Sequence, residues 1–113
     1  MTKIKLFKTR DNILAFECFG HSGYAESGED IVCAAISSIV QMAEVGVVNV
    51  LNLPASVQKN EKAGRMVFRL TKNISQADME KAQIILKAME LSLEDLAQSY
   101  PKFIKLEVKN ETH

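Results

Sequence analysis

Tryptophan is absent from this sequence of 113 residues, and proline and cysteine each occur only twice. The two cysteines, Cys18 and Cys33, are too few for a disulfide scaffold. Residues 1–8 contain no long apolar segment, so we expect no signal peptide. No apolar run reaches the roughly 18 residues of a membrane-spanning helix, so we expect no transmembrane segment. Together these absences favour a reducing, cytoplasmic location.

Basic residues are missing from a long internal stretch, although the formal net charge of the chain is zero. From Asp11 to Gln58 there are six acidic residues and no Lys or Arg, which gives this segment a charge of −6. Either the segment is buried helix and strand with little room for basic residues, or a site built there prefers a cationic partner. The neutral chain as a whole lacks the basic footprint of nucleic-acid binding, so we expect no direct nucleic-acid partner.

The composition is that of one small globular domain spanning residues 1–113, with 47% hydrophobic and 25% charged residues. Hydrophobic spacing predicts the element order ββαββαβ. The predicted strands cover residues 4–8, 13–19, 56–59, 66–70 and 104–109. The predicted helices cover residues from about 30 to 51 and from a cap at Ser75 to Pro101. We therefore expect an α+β two-layer sandwich, with both helices on one face of a mixed or antiparallel five-stranded sheet and a frayed tail at 110–113.

One part of the sequence can carry chemistry, namely His21, Asp30 and Cys33 around a glycine-rich loop. If Asp30 is the N-cap of the first helix, Cys33 is its third residue. There, unpaired backbone N–H groups and the helix dipole favour a thiolate. A helix start at Ser27 also fits a capping pattern, but Gly28 is a poor helix former and disfavours it.

His21 follows the second predicted strand, where it can take a proton from the thiol and later protonate a leaving amine. Ser37 lies one turn after Cys33 on the same helix face, where it can hold the thiol or the imidazole, or line a substrate pocket. Glu26 and Glu29 are close in sequence and oppose formation of a thiolate.

Each of these residues also has an ordinary structural explanation. Cys33 can be a small buried hydrophobe, His21 a turn residue, Asp30 a simple cap, and Ser37 a small residue that allows close packing. The four possible zinc ligands, two cysteines and two histidines, lack paired Cys-x2-Cys spacing. Since the sequence also lacks a GxGxxG or Walker motif, we expect neither a metal nor a cofactor.

The order of these residues resembles the bacterial ribosomal-processing cysteine proteases known as Prp. The motif consists of Gly20-His21, a loop with Gly23 and Gly28, Asp30-x-x-Cys33-Ala34-Ala35, and Ser37. The likeness in length and element order covers essentially the whole chain. One departure is Ser22, where the family more often has Ala, and this position does not touch the proposed dyad.

The resemblance implies a small homodimeric endopeptidase of the cytoplasm that needs no cofactor. Its substrate would be a large-subunit ribosomal protein, the twenty-seventh in the usual bacterial count, from which it removes a short N-terminal extension. A basic ribosomal substrate also suits the acidic segment. By the same resemblance Cys33 is the nucleophile, His21 is the base, Asp30 and Ser37 are supporting residues, and the loop from Gly20 to Gly28 moves as substrate binds.

Two other functions remain open on the residues alone. One is a non-enzymatic, ribosome-associated assembly factor in which His21 and Cys33 are structural. The other is a thiol redox sensor. Cleavage of the extended ribosomal protein separates the protease from both, and peroxide reactivity of Cys33 without any cleavage favours the sensor.

Overall fold

A computed structural model describes residues 1–20 and 29–111. Its strands are β1 (Thr2–Thr9), β2 (Asn12–Phe19), β3 (Ala55–Asn60), β4 (Arg65–Leu70) and β5 (Ile104–Asn110). Its helices are α1 (Glu29–Val45), which continues into a π-helical turn at Gly46–Val50, and α2 (Gln76–Ser99). The predicted order ββαββαβ is confirmed, and each described strand lies within two residues of its predicted bounds.

The described strands form one sheet in the order β3-β4-β2-β1-β5. β1 and β5 run parallel, with Thr2 beside Ile104, whereas the other neighbours are antiparallel. The sheet is therefore mixed, which was one of the two predicted possibilities. A strand that enters a sheet parallel to its neighbour needs a long connection before it. The segment from β4 to β5, which contains α2, crosses the sheet and places β5 beside β1.

The core lies between one face of the sheet and the two helices. Every second residue of β1 points into it, and Phe16 of β2 stacks on Phe68 of β4 with ring centroids 4.9 Å apart. A buried amide ties the layers together, because Gln83 of α2 accepts from the Ile13 N–H at 2.7 Å and donates to the Ile13 carbonyl at 2.8 Å. Satisfying both backbone groups removes the cost of burying them.

The first helix changes form near its end. The hydrogen bond from the Leu51 N–H to the Gly46 carbonyl, at 2.9 Å, spans five residues and defines a π-helical turn. A Cβ on Gly46 would lie 2.9 Å from the Ile85 side chain, so the glycine allows α1 and α2 to approach closely there. The apolar spacing predicted a helix to residue 51 but gave no sign of its π-helical end.

The expectation that no segment is long and apolar enough to span a membrane was wrong on length and composition. The helical stretch Asp30–Val50 meets both criteria. In the structure one side of this helix is buried against the sheet, through Val32, Ile36, Val40, Ala43 and Val47. A core helix of a globular fold meets the same criteria, and the buried side of this helix contributes to the core.

The C-terminal residues also differ from expectation. Asn110 is the last residue of β5, and the Glu111 N–H donates to the Lys8 carbonyl at 2.7 Å. The Glu111 carboxylate receives two hydrogen bonds from Arg69, at 3.0 and 2.9 Å. The predicted fraying is therefore wrong for residues 110 and 111, because a bidentate ion pair and strand pairing hold them. Residues 112 and 113 lie outside the described residues.

The limits of α2 follow the predicted signals. The Ser75 side chain caps the helix by accepting from the Asp78 N–H at 3.1 Å. At the other end the Tyr100 N–H donates to the Leu96 carbonyl at 2.8 Å, directly before Pro101. Local sequence is sufficient here because capping and proline effects act within one turn.

Candidate active site

The described part of the first helix begins at Glu29, and Asp30 lies inside it. The prediction that Asp30 is the N-cap was therefore wrong. Cys33 lies beyond the first four residues of the helix, whose N–H groups lack intrahelical partners. An acidic side chain is favourable anywhere in the first turn, because the helix dipole acts over the whole turn. The presence of Asp30 in the sequence therefore does not identify it as the N-cap.

The Cys33 thiol lies against the first strand. Its Sγ is 3.2 Å from the hydroxyl oxygen of Thr2, the first residue of β1. Thr2 is 2% exposed, whereas Cys33 is only partly buried. The sequence reasoning missed Thr2. One signal could have found it, since Thr2 is a polar residue in alternation with the apolar Ile4 and Leu6, at a position that faces the core.

A cavity of about 370 Å³ opens beside the thiol. Three sequence-predicted residues reach it from α1, namely Asp30, Cys33 and Ser37. The sheet contributes Thr2, Cys18 and Gly20, and the β3–β4 hairpin contributes Lys59, Asn60, Glu61, Gly64, Arg65 and Met66. The fold therefore brings four of the seven predicted site residues, Gly20, Asp30, Cys33 and Ser37, around one space. His21, Gly23 and Gly28 lie outside the described residues.

The charges around the cavity are partly neutralised by ion pairs. Lys59 binds Glu44 at 2.9 Å, and Arg65 binds Glu17 at 3.3 Å. Both carboxylates belong to the acidic stretch that lacks basic residues, so part of its charge is balanced by cations from the hairpin. The cavity lining also includes the exposed carboxylates Asp30 and Glu61, which would attract a cationic ligand.

The second cysteine has a different environment. Cys18 lies on β2 with its side chain in the core, and in the described part of the chain both cysteines are free thiols. Burial raises the pKa of the Cys18 thiol from its ordinary 9.0 to about 11, and the neighbouring Cys33 adds to this shift. Cys18 is therefore a neutral thiol at physiological pH and a poor nucleophile.

Two glycines fix the end of β2, directly before His21. The Gly20 N–H donates to the Gly64 carbonyl at 2.7 Å. Gly64 has a positive φ of 63°, and a Cβ there would collide with the Gly20 carbonyl oxygen. Only glycine at position 64 allows the hairpin turn and the strand end to meet so closely. This contact sets where the chain leaves β2 towards His21.

The described residues around this site do not form a cluster of metal ligands. Within residues 1–20 and 29–111, no three His, Cys, Asp or Glu side chains are grouped so that they could hold an ion. The chemistry that this part of the chain offers is therefore that of a partly buried thiol beside an open cavity.

Comparison with known proteins extends this picture over most of the chain. The sequence model of the family described as cysteine protease Prp matches residues 1–105. The ribosomal processing cysteine protease Prp of Bacillus subtilis is 31% identical over 88 residues, which cover 78% of this chain and 79% of the relative.

Solved structures show the same fold. The crystal structure of the Staphylococcus aureus ribosomal processing protease Prp with a substrate peptide superimposes with a TM-score of 0.84 at 22% identity, covering 96% of this chain and all of that one. A second structure of that protease, with a covalently linked product peptide, gives a TM-score of 0.79 at 22% identity and the same coverage. The family match over residues 1–105 and the 31% identity show that this chain belongs to the Prp family of ribosomal-processing cysteine proteases.

Proposed function

We propose that this cysteine protease removes a short N-terminal extension from a large-subunit ribosomal protein, with Cys33 as its nucleophile. The observation that carries the assignment is the contrast between the two thiols. Cys33 is partly exposed beside the cavity, near the start of α1, whereas Cys18 is buried with a pKa of about 11. Of these two thiols, Cys33 is the one that a peptide carbonyl can approach.

The proposed reaction is an acyl transfer in two steps. His21 takes the thiol proton while Cys33 Sγ attacks the scissile carbonyl, and His21 then gives that proton to the leaving amine. Water next hydrolyses the thioester and releases the second product. Gly20, which precedes His21 in the sequence, lines the cavity. The covalently linked product peptide of the Staphylococcus aureus protease is consistent with a covalent step.

Asp30 and Ser37 are assigned supporting roles. Both are exposed and line the cavity on the Cys33 side of α1. Asp30 adds negative charge that would stabilise a protonated His21, and Ser37 offers a hydroxyl to the substrate backbone. Gly20, Gly23 and Gly28 are proposed as further supporting residues, as the family motif implies, and of these Gly20 lines the cavity.

The substrate assignment rests on the named relatives and on charge. A ribosomal protein tail is basic, and the carboxylates of Asp30 and Glu61 line the cavity. The relatives are named for ribosomal processing, and two of the solved structures hold peptides. We further propose that residues 1–113 form a single protease domain and that the enzyme is a cytoplasmic homodimer. We expect it to need no cofactor or metal and to bind no nucleic acid.

Intact mass spectrometry tests this function directly. Purified protein is mixed with the ribosomal protein carrying its extension, and the parent is compared with the matched variants Cys33→Ala and Cys18→Ala. We expect the parent and Cys18→Ala to remove the extension and Cys33→Ala to leave it intact. Processing by Cys33→Ala would overturn the assignment of the nucleophile.

A redox role is the second candidate, because Cys18 and Cys33 line the same cavity. In that case peroxide would oxidise Cys33 readily, while the extended ribosomal protein would remain uncleaved by the reduced enzyme. Membership of a protease family favours the first function over this one and over a non-enzymatic assembly factor.

A further inference from the structure

Thr2 is a polar residue at a position of β1 where the alternation of side chains predicts one that faces the core. Its side chain is 2% exposed, and the next inward-facing residues, Ile4 and Leu6, are fully buried. A buried hydroxyl is costly unless it has a hydrogen-bond partner. The Thr2 hydroxyl lies 3.2 Å from Cys33 Sγ, across the interface of sheet and helix. The polar residue is therefore explained by its contact with the thiol.

The Thr2 side chain is held firmly in this place. The Thr2 N–H donates to the Phe103 carbonyl at 2.8 Å, and its Cα pairs with that of Ile104 on β5. A Cβ on Gly20 would lie 3.7 Å from the Thr2 hydroxyl oxygen, so the end of β2 bounds the other side. Its β-branched side chain has few allowed rotamers. The hydroxyl is thus fixed before the thiol reacts, and no reorganisation is needed.

The direction of this hydrogen bond depends on the state of the sulfur. In the thiol form either atom can donate. In the thiolate form sulfur can only accept, so the Thr2 hydroxyl must be the donor. A hydrogen bond to a charged acceptor is stronger than one between neutral groups. The contact therefore stabilises the thiolate more than the thiol, and it also holds Sγ beside the cavity.

We propose that Thr2 is a positioning residue of the protease, whose hydroxyl donates to the Cys33 thiolate and orients it towards the scissile carbonyl. This role rests on the proposed function of Cys33 as nucleophile. Among the described residues, the other titratable or charged groups that line the cavity come from β2, α1 and the β3–β4 hairpin, and they are Cys18, Asp30, Lys59, Glu61 and Arg65. Substitution of Thr2 leaves all of them unchanged, so a difference between Thr2 variants isolates the hydroxyl.

The test compares Thr2→Val, which keeps the shape of the side chain without its hydroxyl, with Thr2→Ser, which keeps the hydroxyl. Both are made in a Cys18→Ala background, so that Cys33 is the one thiol left to react with iodoacetamide. At pH 7 we expect alkylation to slow about tenfold in Thr2→Val and to stay within about threefold of the parent in Thr2→Ser, as for one hydrogen bond to a charged group. The pH profile of alkylation should differ from that of the parent in Thr2→Val and match it in Thr2→Ser.

Peptide cleavage provides an independent measurement of the effect of the Thr2 hydroxyl. Thr2→Val should lower kcat about as much as it lowers alkylation, with KM unchanged, because the hydroxyl acts on the nucleophile and not on the bound peptide. Thr2→Ala serves as a second variant without a hydroxyl, in case Thr2→Val does not fold. Alkylation of both hydroxyl-free variants at the parent rate, with the parent's pH profile, would overturn the proposal.

The two proposals can fail separately. If Cys33→Ser still processes the ribosomal protein, Cys33 is not the nucleophile, whatever the alkylation rates are. If Cys33→Ser is inactive while Thr2→Val reacts and cleaves as the parent does, the protease assignment stands and the role of Thr2 is refuted.

Discussion

Cys18 and Cys33 line one cavity from opposite layers of the molecule, and their environments differ in every respect that sets thiol reactivity. Cys18 points from β2 into the core, where burial raises the pKa of its thiol to about 11. Cys33 sits on α1, partly exposed, with a hydroxyl 3.2 Å from its sulfur. The difference shows that two cysteines lining one cavity differ in burial and in hydrogen-bond contact according to the layer that carries them, and both properties influence thiol reactivity.

The largest expected effect comes from removing His21, the proposed base of Cys33. His21→Ala should lower the rate of processing by roughly 10²–10⁴-fold, the usual contribution of a positioned acid and base. The pH profile of kcat/KM should also lose the ionisation near neutral pH that a histidine base contributes. Initial rates measured by mass spectrometry check both effects, and a loss below about threefold would leave His21 with a structural role only.

The contrast between the thiols should be visible directly in the folded protein. At pH 8 a thiol with a pKa of about 11 is ionised in roughly one molecule in a thousand. We expect iodoacetamide to modify Cys33 at least about 100-fold faster than Cys18, and both thiols to react equally after unfolding in guanidinium. Peptide mapping after timed labelling measures the two rates. Comparable rates in the folded state would remove the distinction on which the assignment of the nucleophile depends.

A substitution at Gly64 tests whether the β3–β4 hairpin, which lines the cavity, affects cleavage by Cys33. A Cβ at position 64 would collide with the Gly20 backbone, so Gly64→Ala should cost about 1–3 kcal/mol and shift the chain before His21. We expect cleavage to fall while alkylation of Cys33 persists.

The matched control for this change is Gly46→Ala, which crowds the Ile85 side chain between the helices, remote from the cavity lining. It should lower the melting temperature with little effect on cleavage. Equal losses of cleavage in the two variants would mean that stability alone, and not the position of Gly20, explains the effect.

The raised pKa of Cys18 also predicts a pH dependence of stability. Above pH 9 the unfolded chain releases the Cys18 proton, whereas the folded protein holds it up to about pH 11. The unfolded state therefore binds fewer protons, and stability falls as pH rises through this window at about 1.4 kcal/mol per unit. Compared with Cys18→Ala, the parent should lose about 2 kcal/mol more between pH 9 and 11. Urea denaturation at both pH values measures the difference, and equal losses would contradict the shift.

The smallest effect on stability is expected at Asp30. The side chain is exposed in the first turn of α1, so Asp30→Asn removes only a favourable interaction with the helix dipole, about 0.3–1 kcal/mol. If its charge stabilises a protonated His21, cleavage should nevertheless fall. Thermal melting together with cleavage rates checks this, and parent-like cleavage would leave Asp30 with a role in the helix alone.

The parts of the structure that sequence predicted well are governed by local rules. Ser75 and Pro101 bound α2 because a cap and a proline act within one turn. The strands follow alternation because each has one buried face. Asp30 was predicted as the cap of α1 but lies inside the helix, since Glu29 and Asp30 are both favourable near a helix N-terminus. The tail was predicted to fray because its ion pair with Arg69 is distant in sequence.

The candidate site likewise contains residues that local spacing groups and residues that only tertiary contacts bring together. Asp30, Cys33 and Ser37 could be grouped from the sequence, since one helix carries them at a spacing that local geometry fixes. Thr2 and Gly64 could not, because they are 31 residues from Cys33 and 44 residues from Gly20 and meet them only when strands and helix assemble.

By itself the sequence determined the order of elements, the α+β class, and the family through the His21 and Cys33 motif. It also determined which residues are apolar on each face, since periodicity is written into the chain. Only the tertiary structure decided that Cys18 is buried and neutral and that the Thr2 hydroxyl faces the Cys33 sulfur. It also brought the β3–β4 hairpin to the wall of the cavity. The physical reason is that burial and hydrogen-bond partners, which set the reactivity of a thiol, come from residues distant in sequence.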